Sequence, residues 1–339
     1  MSPSHEKPET SSNLHPAGPR KVIVGTTIFS LFPDQRPFVS IEHRLQEVRE
    51  RIDEMAADAE VRYGRGPDVL LFPENSLNPP KDGRRLEERA LPLEGAVLEM
   101  LSAKAREHST YLAVCFNMLE SNSDTVVYNA CVLVDREGKV AGIYRKVYCL
   151  ASDGGASVEG GKRPGGTFPV FETDFGKVAM AICFDIGFED LFAAYAAQGA
   201  ELVLWPSMSP QTLLPRLYAR RFGYHIVSAT PRDNASVFDP VGEIPAQITE
   251  EGALVFEIDL QSRIVHWQPE LHHGQALRDR YGDQVGFRYD TQEDTGIFWS
   301  NDPGCSINQM LKETGLLDET ALRDLARSAR IKVLGAVST

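Results

Sequence analysis

The sequence predicts a layered α/β domain running from about Arg20 to Leu260. Two observations predict it. Short apolar runs rich in Val, Ile and Leu alternate with longer stretches whose apolar residues recur at helical spacing. Several neighbouring runs are also separated only by short turns, which marks antiparallel hairpins within the alternation and places the chain in the layered α/β class.

The elements follow in order. Residues 1–20 are rich in Ser, Pro, Glu and Lys and are expected to be a disordered tail. Lys21 to Phe29, KVIVGTTIF, is β-branched and apolar enough for a first buried strand. From Ser40 to about Val61, residues Ile41, Leu45, Val48, Ile52, Met55, Ala56 and Ala59 share a helical face, with Ser40 as cap and Gly64, Gly66 and Pro67 as stop. Asp68 to Phe72 reads as a second strand, Ala96 to His108 as a helix and Tyr111 to Asn117 as a third strand. Val126 to Val134 and Lys139 to Tyr144 form a hairpin turning at Glu137-Gly138. After a loop dense in Gly and Ser from Ala151 to Gly166, Val170 to Phe175 and Lys177 to Ile182 form another strand pair. A helix from Asp190 to Gln198, a strand from Glu201 to Trp205, a helix through YARRFGYHIV, and strands over Ser236 to Phe238 and Ala253 to Ile258 complete the domain. Beyond about Gln261, Trp267 to Asp302 is polar and aromatic, and Asn308 to Ile331 holds two helix-like stretches, with Leu322, Leu325 and Ala326 on one face.

Composition removes several function classes. A formal net charge of −13 argues against a non-specific nucleic-acid binder, which needs a basic face to neutralise phosphates. No apolar run approaches a membrane span and the first twenty residues lack a signal peptide's apolar core, so the chain is expected to be cytoplasmic and free of membranes. Five cysteines, Cys115, Cys131, Cys149, Cys183 and Cys305, lie without a C-x-x-C pair, a pattern of reduced thiols. His272 and His273 are adjacent, without the spacing of metal ligands, and no metal or organic cofactor is expected. The segment GGASVEGGKR fails as a phosphate loop, because Ala156 replaces its first glycine and Arg163 stands where Ser or Thr binds magnesium.

Three strand exits each carry one reactive group: Glu74 in LLFPENSL, Lys146 in IYRK and Cys183 in AMAICFDIG. Strand ends are where sites assemble in layered α/β folds, and a base, a cation and a thiol are a coherent set. A free cysteine is only a few per cent thiolate at neutral pH, so a nucleophilic one needs a neighbouring base or cation. A histidine partner is the alternative activation, with His225 and His266 available, although nothing around Cys183 resembles the thiol proteases that use one.

The segments VLLFPENSL, YNACVLVDREGKVAGIYRK and GKVAMAICFDIGFED followed by GAELVLWPS, together with NASVFDPVGE, resemble the carbon-nitrogen hydrolases of the nitrilase superfamily, in that order, over about Lys21 to Leu260. The resemblance implies a four-layer α-β-β-α sandwich that forms a homodimer, with a carbon-nitrogen hydrolase domain over 21–260 and a C-terminal extension over 261–339. It implies Glu74 as general base, Lys146 as the cation facing the oxyanion and Cys183 as nucleophile, with Glu159 as a second glutamate because it precedes Pro164-Gly165. Cys183-Phe184-Asp185 resembles the amidase and carbamoylase members, so the expected substrate is a small molecule with an amide or N-carbamoyl bond. A nitrilase or an acyltransferase using the same groups, and a retired enzyme that only binds, are the alternatives. Arg220, Arg221, Gly223 and Tyr224 depart from the family's usual helix after Trp205-Pro206-Ser207, and Arg216, Arg220 and Arg221 are read either as a carboxylate pocket or as a solvated helix face.

Overall fold

The computed structural model describes residues 18–337, so the tail expected over 1–20 lies almost wholly outside the described residues. It separates into two compact units, Lys21–Leu260 and a unit that holds Gln261 onward.

In the first unit, β1 (Lys21–Ile28) leads to α1 (Ile41–Tyr63). Ser40 accepts a hydrogen bond from the His43 N–H at the helix start, and Gly64, at φ 67, ends it by bonding Glu60. The predicted stripe is the face that is buried: Leu45, Val48, Ile52, Met55, Ala56 and Ala59. Each large apolar side chain contributes about 1.5–3 kcal/mol on burial. Then follow β2 (Val69–Leu71), α2 (Ala96–His108), β3 (Tyr111–Leu119), β4 (Val127–Val134) and β5 (Val140–Arg145). The second half supplies β6 (Val170–Glu172), β7 (Lys177–Met180), α3 (Glu189–Ala197), β8 (Leu202–Pro206), α4 (Leu213–Phe222), β9 (His225–Ala229), β10 (Ala235–Phe238), β11 (Ala246–Ile248) and β12 (Gly252–Asp259).

Two sheets result, in the orders β12-β1-β2-β3-β4-β5 and β11-β10-β9-β8-β7-β6. Both have a parallel centre, β1-β2-β3 in one and β7-β8-β9 in the other, flanked by antiparallel strands. Three apolar clusters fill the unit. One packs α1 and α2 on the first sheet through Val48, Ile52, Leu101 and Val114. The second joins residues of both sheets, among them Val24, Leu71, Tyr144, Met180, Ile182 and Leu204. The third packs α3 and α4 on the second sheet through Phe192, Tyr195 and Tyr218. Mixed α/β is thus the observed class.

Two sequence expectations need correction. The helix through YARRFGYHIV stops at Phe222, where Gly223 takes φ 75, and the β-branched residues after it enter β9, so His225 is a strand residue. The strand before Cys183 ends at Met180, two residues earlier than predicted. Beyond Gln261, where the sequence reading assigned no strands, lies a three-stranded sheet of β13 (Arg263–His266), β14 (Val285–Asp290) and β15 (Thr295–Ser300), in the order β13-β15-β14. In that second unit α5 (Gln275–Tyr281), α6 (Ile307–Thr314) and the sheet close over Val265, Leu277, Phe298 and Met310. Helix α7 (Glu319–Val337) leaves Leu325 and Ala326 of the predicted apolar face exposed.

Candidate active site

Glu74 sits in the turn after β2, where Ser76 bonds back to the Pro73 carbonyl and its N–H bonds Cys115 O. Lys146 immediately follows β5, its N–H bonded to Asn129 O across the hairpin. Both are almost wholly buried, and Lys146 Nζ lies 3.0 Å from Glu74 Oε1. Glu159 completes the same cluster, with Oε1 2.5 Å from Lys146 Nζ. Its loop is closed by the two-residue ladder of Ala151–Ser152 with Ser157–Val158 and by Glu159 N bonding Leu150 O at 2.8 Å.

Cys183 is presented from the second sheet. It opens a short 3-10 turn, Cys183–Gly187, and has φ 46, in the left-handed region that costs an ordinary residue about 1–3 kcal/mol. Asp185 holds that turn. Its fully buried carboxylate accepts from Ile182 N at 2.8 Å, Tyr148 N at 2.8 Å and the Tyr144 hydroxyl at 2.7 Å. The Trp205 indole N–H donates to the Cys183 carbonyl at 3.1 Å, fixing the other side.

Glu74 and Lys146 both act on the thiol. Burial first, then the Glu74 charge, push Cys183 up to about 11, opposed by Lys146, the Met208 N–H and the Ser207 hydroxyl. The Met208 N–H also donates to Glu74 Oε2 at 3.2 Å, so one backbone group serves both carboxylate and sulfur. Burial works against the Lys146 ammonium, yet Glu74, Glu159 and Cys183 outweigh it and raise its pKa. Burial likewise opposes the Glu159 anion, which Lys146, Lys162 and Asn129 hold below its usual range.

The four residues expected from the sequence therefore lie around one polar cluster. Two others that the sequence reading did not single out, Asn129 and Lys162, join it. Asn129 Nδ2 donates to Glu74 Oε1 at 2.7 Å and to Glu159 Oε2 at 3.2 Å, while its Oδ1 accepts from the Cys115 thiol at 3.4 Å. Its signal was a lone amide in the wholly buried run of β4. Lys162 Nζ lies 3.3 Å from Glu159 Oε2, and Tyr144 precedes Lys146 by two positions, inside the strand that Lys146 follows.

The histidines do not join it. His225 pairs with Leu202 at the start of β8, opposite the end that leads to Met208, about 13 Å away at strand rise. His266 belongs to the second unit and lies 2.6 Å from Glu319. Arg216 bonds Gly242 O and pairs with Glu243, and Arg221 pairs with Glu189, the solvated-face alternative. Asp53, Glu107 and His108 also converge, but Lys104 Nζ, 2.6 Å from Asp53 and 2.9 Å from Glu107, already supplies the cation there. Among the described residues no helix is long and apolar enough to cross a membrane.

Comparison with known proteins identifies the family. The carbon-nitrogen hydrolase model matches residues 37–267. A probable nitrilase of Schizosaccharomyces pombe is 23% identical over 239 residues, covering 65% of this chain and 84% of that protein. The human omega-amidase is 28% identical over 219 residues, covering 58% and 78% respectively. The structure of Saccharomyces cerevisiae Nit3, of the nitrilase superfamily, matches with a TM-score of 0.58 at 21% identity, over 78% of this chain and 95% of that one. The chain belongs to the carbon-nitrogen hydrolase family and is an enzyme of that class.

Proposed function

We propose that the enzyme hydrolyses an amide or N-carbamoyl bond of a small molecule through a thioester on Cys183, with Glu74 as general base and Lys146 as the cation that faces the oxyanion. The observation that carries this reading is the buried Lys146–Glu74 pair, 3.0 Å apart, whose two charges act on the thiol of a cysteine held in a left-handed turn.

The thiol is protonated at rest. As Cys183 Sγ bonds to the substrate carbonyl carbon, its proton passes to Glu74 and the carbonyl π pair moves onto oxygen. The Lys146 ammonium stabilises that oxyanion, an effect worth about 2.7–4 kcal/mol for a well-placed donor. When the carbon–nitrogen bond breaks, Glu74 returns the proton to the departing amine. Water then attacks the thioester, giving one proton to Glu74; as the carbon–sulfur bond breaks, Glu74 hands that proton to the departing sulfur, which releases the acid and regenerates both the thiol and the base. Glu159 stays ionised beside Lys146 and keeps it charged. These steps use side chains of the chain itself.

The reading extends to a homodimer in the cytoplasm, with the two sheets and their covering helices as an α-β-β-α sandwich. Leu213 and Leu217 on α4, 65% and 52% exposed, are apolar side chains that a second copy would cover. The test is product analysis by mass spectrometry across primary amides, secondary amides, N-carbamoyl amino acids and nitriles, with wild type beside Cys183→Ala. Amide or carbamoyl turnover that vanishes in the variant is expected. Turnover that survives in Cys183→Ala, or of nitriles alone, would sink it.

A further inference from the structure

The cluster holds two carboxylates on one lysine, and the sequence resemblance that makes Glu74 the base does not say what keeps the proton from Glu159. The geometry distinguishes them. Glu74 receives Lys146 at 3.0 Å, Asn129 at 2.7 Å and the Met208 N–H at 3.2 Å, so one ammonium reaches it. Glu159 receives Lys146 at 2.5 Å on one oxygen, and Lys162 at 3.3 Å with Asn129 at 3.2 Å on the other. Two ammonium groups thus bracket Glu159. The neighbouring titratable groups are Glu74 across Lys146, Cys183 beyond it, and the Cys149 thiol on the same loop, which burial and Glu159 push up to about 12. Counted by side chains, the second lysine matches the cluster's two carboxylates with two ammonium groups.

Lys162 is placed there by its loop. Glu159, Gly160 and Gly161 have φ of 43, 71 and 101, three consecutive left-handed residues that curl the chain back on itself. Gly161 N and Lys162 N both bond Val158 O, at 2.9 and 3.1 Å, and the side chain returns to the carboxylate three residues before it. Its side chain is only 13% exposed, far drier than a surface lysine needs to be.

We propose that Lys162 is a positioning residue that holds Glu159 as the permanent anion of the cluster, so that the proton released by Cys183 goes to Glu74. The inference rests on the thiol mechanism above and assigns within it a task that Lys146 alone cannot perform, because Lys146 touches both carboxylates. Without Lys162, Glu159 competes for the proton, Lys146 loses its fixed counterion, and the acid-side ionisation that activates the enzyme moves to higher pH.

Two measurements on the full chain test it. In protein labelled with 13C at glutamate Cδ, the Glu159 signal is identified by its loss in Glu159→Gln and titrated in wild type, Lys162→Met and Lys162→Arg. Lys162→Met is expected to raise its midpoint by about one pH unit or more, and Lys162→Arg to leave it in place. The acid limb of kcat/KM, on the amide that the product panel yields, is expected to move with it, kcat at pH 7 falling about tenfold in Lys162→Met and recovering in Lys162→Arg. An unmoved Glu159 midpoint overturns the inference. So does a rate that falls with its acid limb in place, which is the signature of a merely structural lysine. Cys183→Ala run in parallel separates the two readings: if it abolishes turnover while Lys162→Met leaves the limb unmoved, only the role of Lys162 fails, and if it keeps turnover both fail.

Discussion

The Tyr144 hydroxyl donates to Asp185 Oδ2 at 2.7 Å, tying the last strand of the first sheet to the turn that presents Cys183 on the second. Two residues on, just past the strand's end, Lys146 meets the carboxylates. One strand end therefore sets both the Lys146 ammonium and, through Asp185, the turn of the proposed nucleophile Cys183. Tyr144→Phe removes one donor from a buried carboxylate and is expected to cost about 1.5–3 kcal/mol. Thermal unfolding should show it as a lowered midpoint, and kcat should fall with KM little changed; an unchanged kcat would separate the turn from the chemistry.

Asp185 gives a pH signature of its own. Burial raises it to about 6 from the usual 3.8, against the pull of its three donors. Between these values the native state binds the proton and the unfolded state does not, so this group's contribution to stability falls as pH rises from about 4 to 6 and stays low above. The penalty is on the order of 3 kcal/mol. Asp185→Asn cannot ionise. Denaturant titrations at pH 4.5, 5.5 and 6.5 should show the stability difference, wild type minus variant, declining with pH, and a flat difference would refute the assignment.

Glu74 has opposite effects on two properties of Cys183. As a charge it favours the protonated thiol, and as the proposed base it takes that proton during turnover. Glu74→Gln is therefore expected to lose at least about a hundredfold in kcat. The same substitution should speed alkylation of Cys183 by iodoacetamide at pH 9, read by peptide mass mapping. Slower alkylation together with lost turnover would mean that the variant has disturbed the turn instead.

Asn129 is expected to matter for both carboxylates at once. Asn129→Leu keeps the size but removes the donors to Glu74 and Glu159 and strands the Cys115 thiol. Each orphaned buried group costs about 1–3 kcal/mol, so kcat should fall at least about tenfold. Activity within a factor of two of wild type would show that Lys146 and Lys162 hold the pair without it.

The loop bearing Glu159 and Lys162 is seated through Gly165, whose N–H bonds Lys146 O at 2.8 Å. A Cβ added there would lie 2.1 Å from Arg145 O, a backbone atom that cannot step aside, whereas at Gly166 it meets nothing within 4 Å. Gly165→Ala should lower both the melting temperature and turnover, and Gly166→Ala neither. Equal behaviour of the two would place the loop's seat elsewhere.

The parts of this architecture that could be read from the sequence are those governed by local rules. The apolar spacing from Leu45 to Ala59 with Ser40 and Gly64 at its ends identifies α1, and Glu137-Gly138 identifies the hairpin before Lys146. His225 was misplaced because Arg220, Arg221 and Phe222 continue a helical pattern up to Gly223, and tertiary pairing with β8 then decides for a strand. Glu74, Lys146 and Cys183 could be nominated because each closes a strand. Asn129 left only a lone amide in an apolar run, with remote partners, and Lys162 left no signal, being placed by an irregular loop whose curl depends on three left-handed residues.

Glu74 and Lys146 follow strands of one sheet and Cys183 and Met208 follow strands of the other, so the groups proposed to react meet across a seam and not within a single element. The Phe29 N–H bonded to Thr230 O and the Thr26 hydroxyl bonded to Ser228 O are rivets along that seam, and the apolar cluster between the sheets sets its width. Heat inactivation and loss of the inner core should be a single event, and a methyl group trimmed from Val24 or Leu204 would be felt at the sulfur.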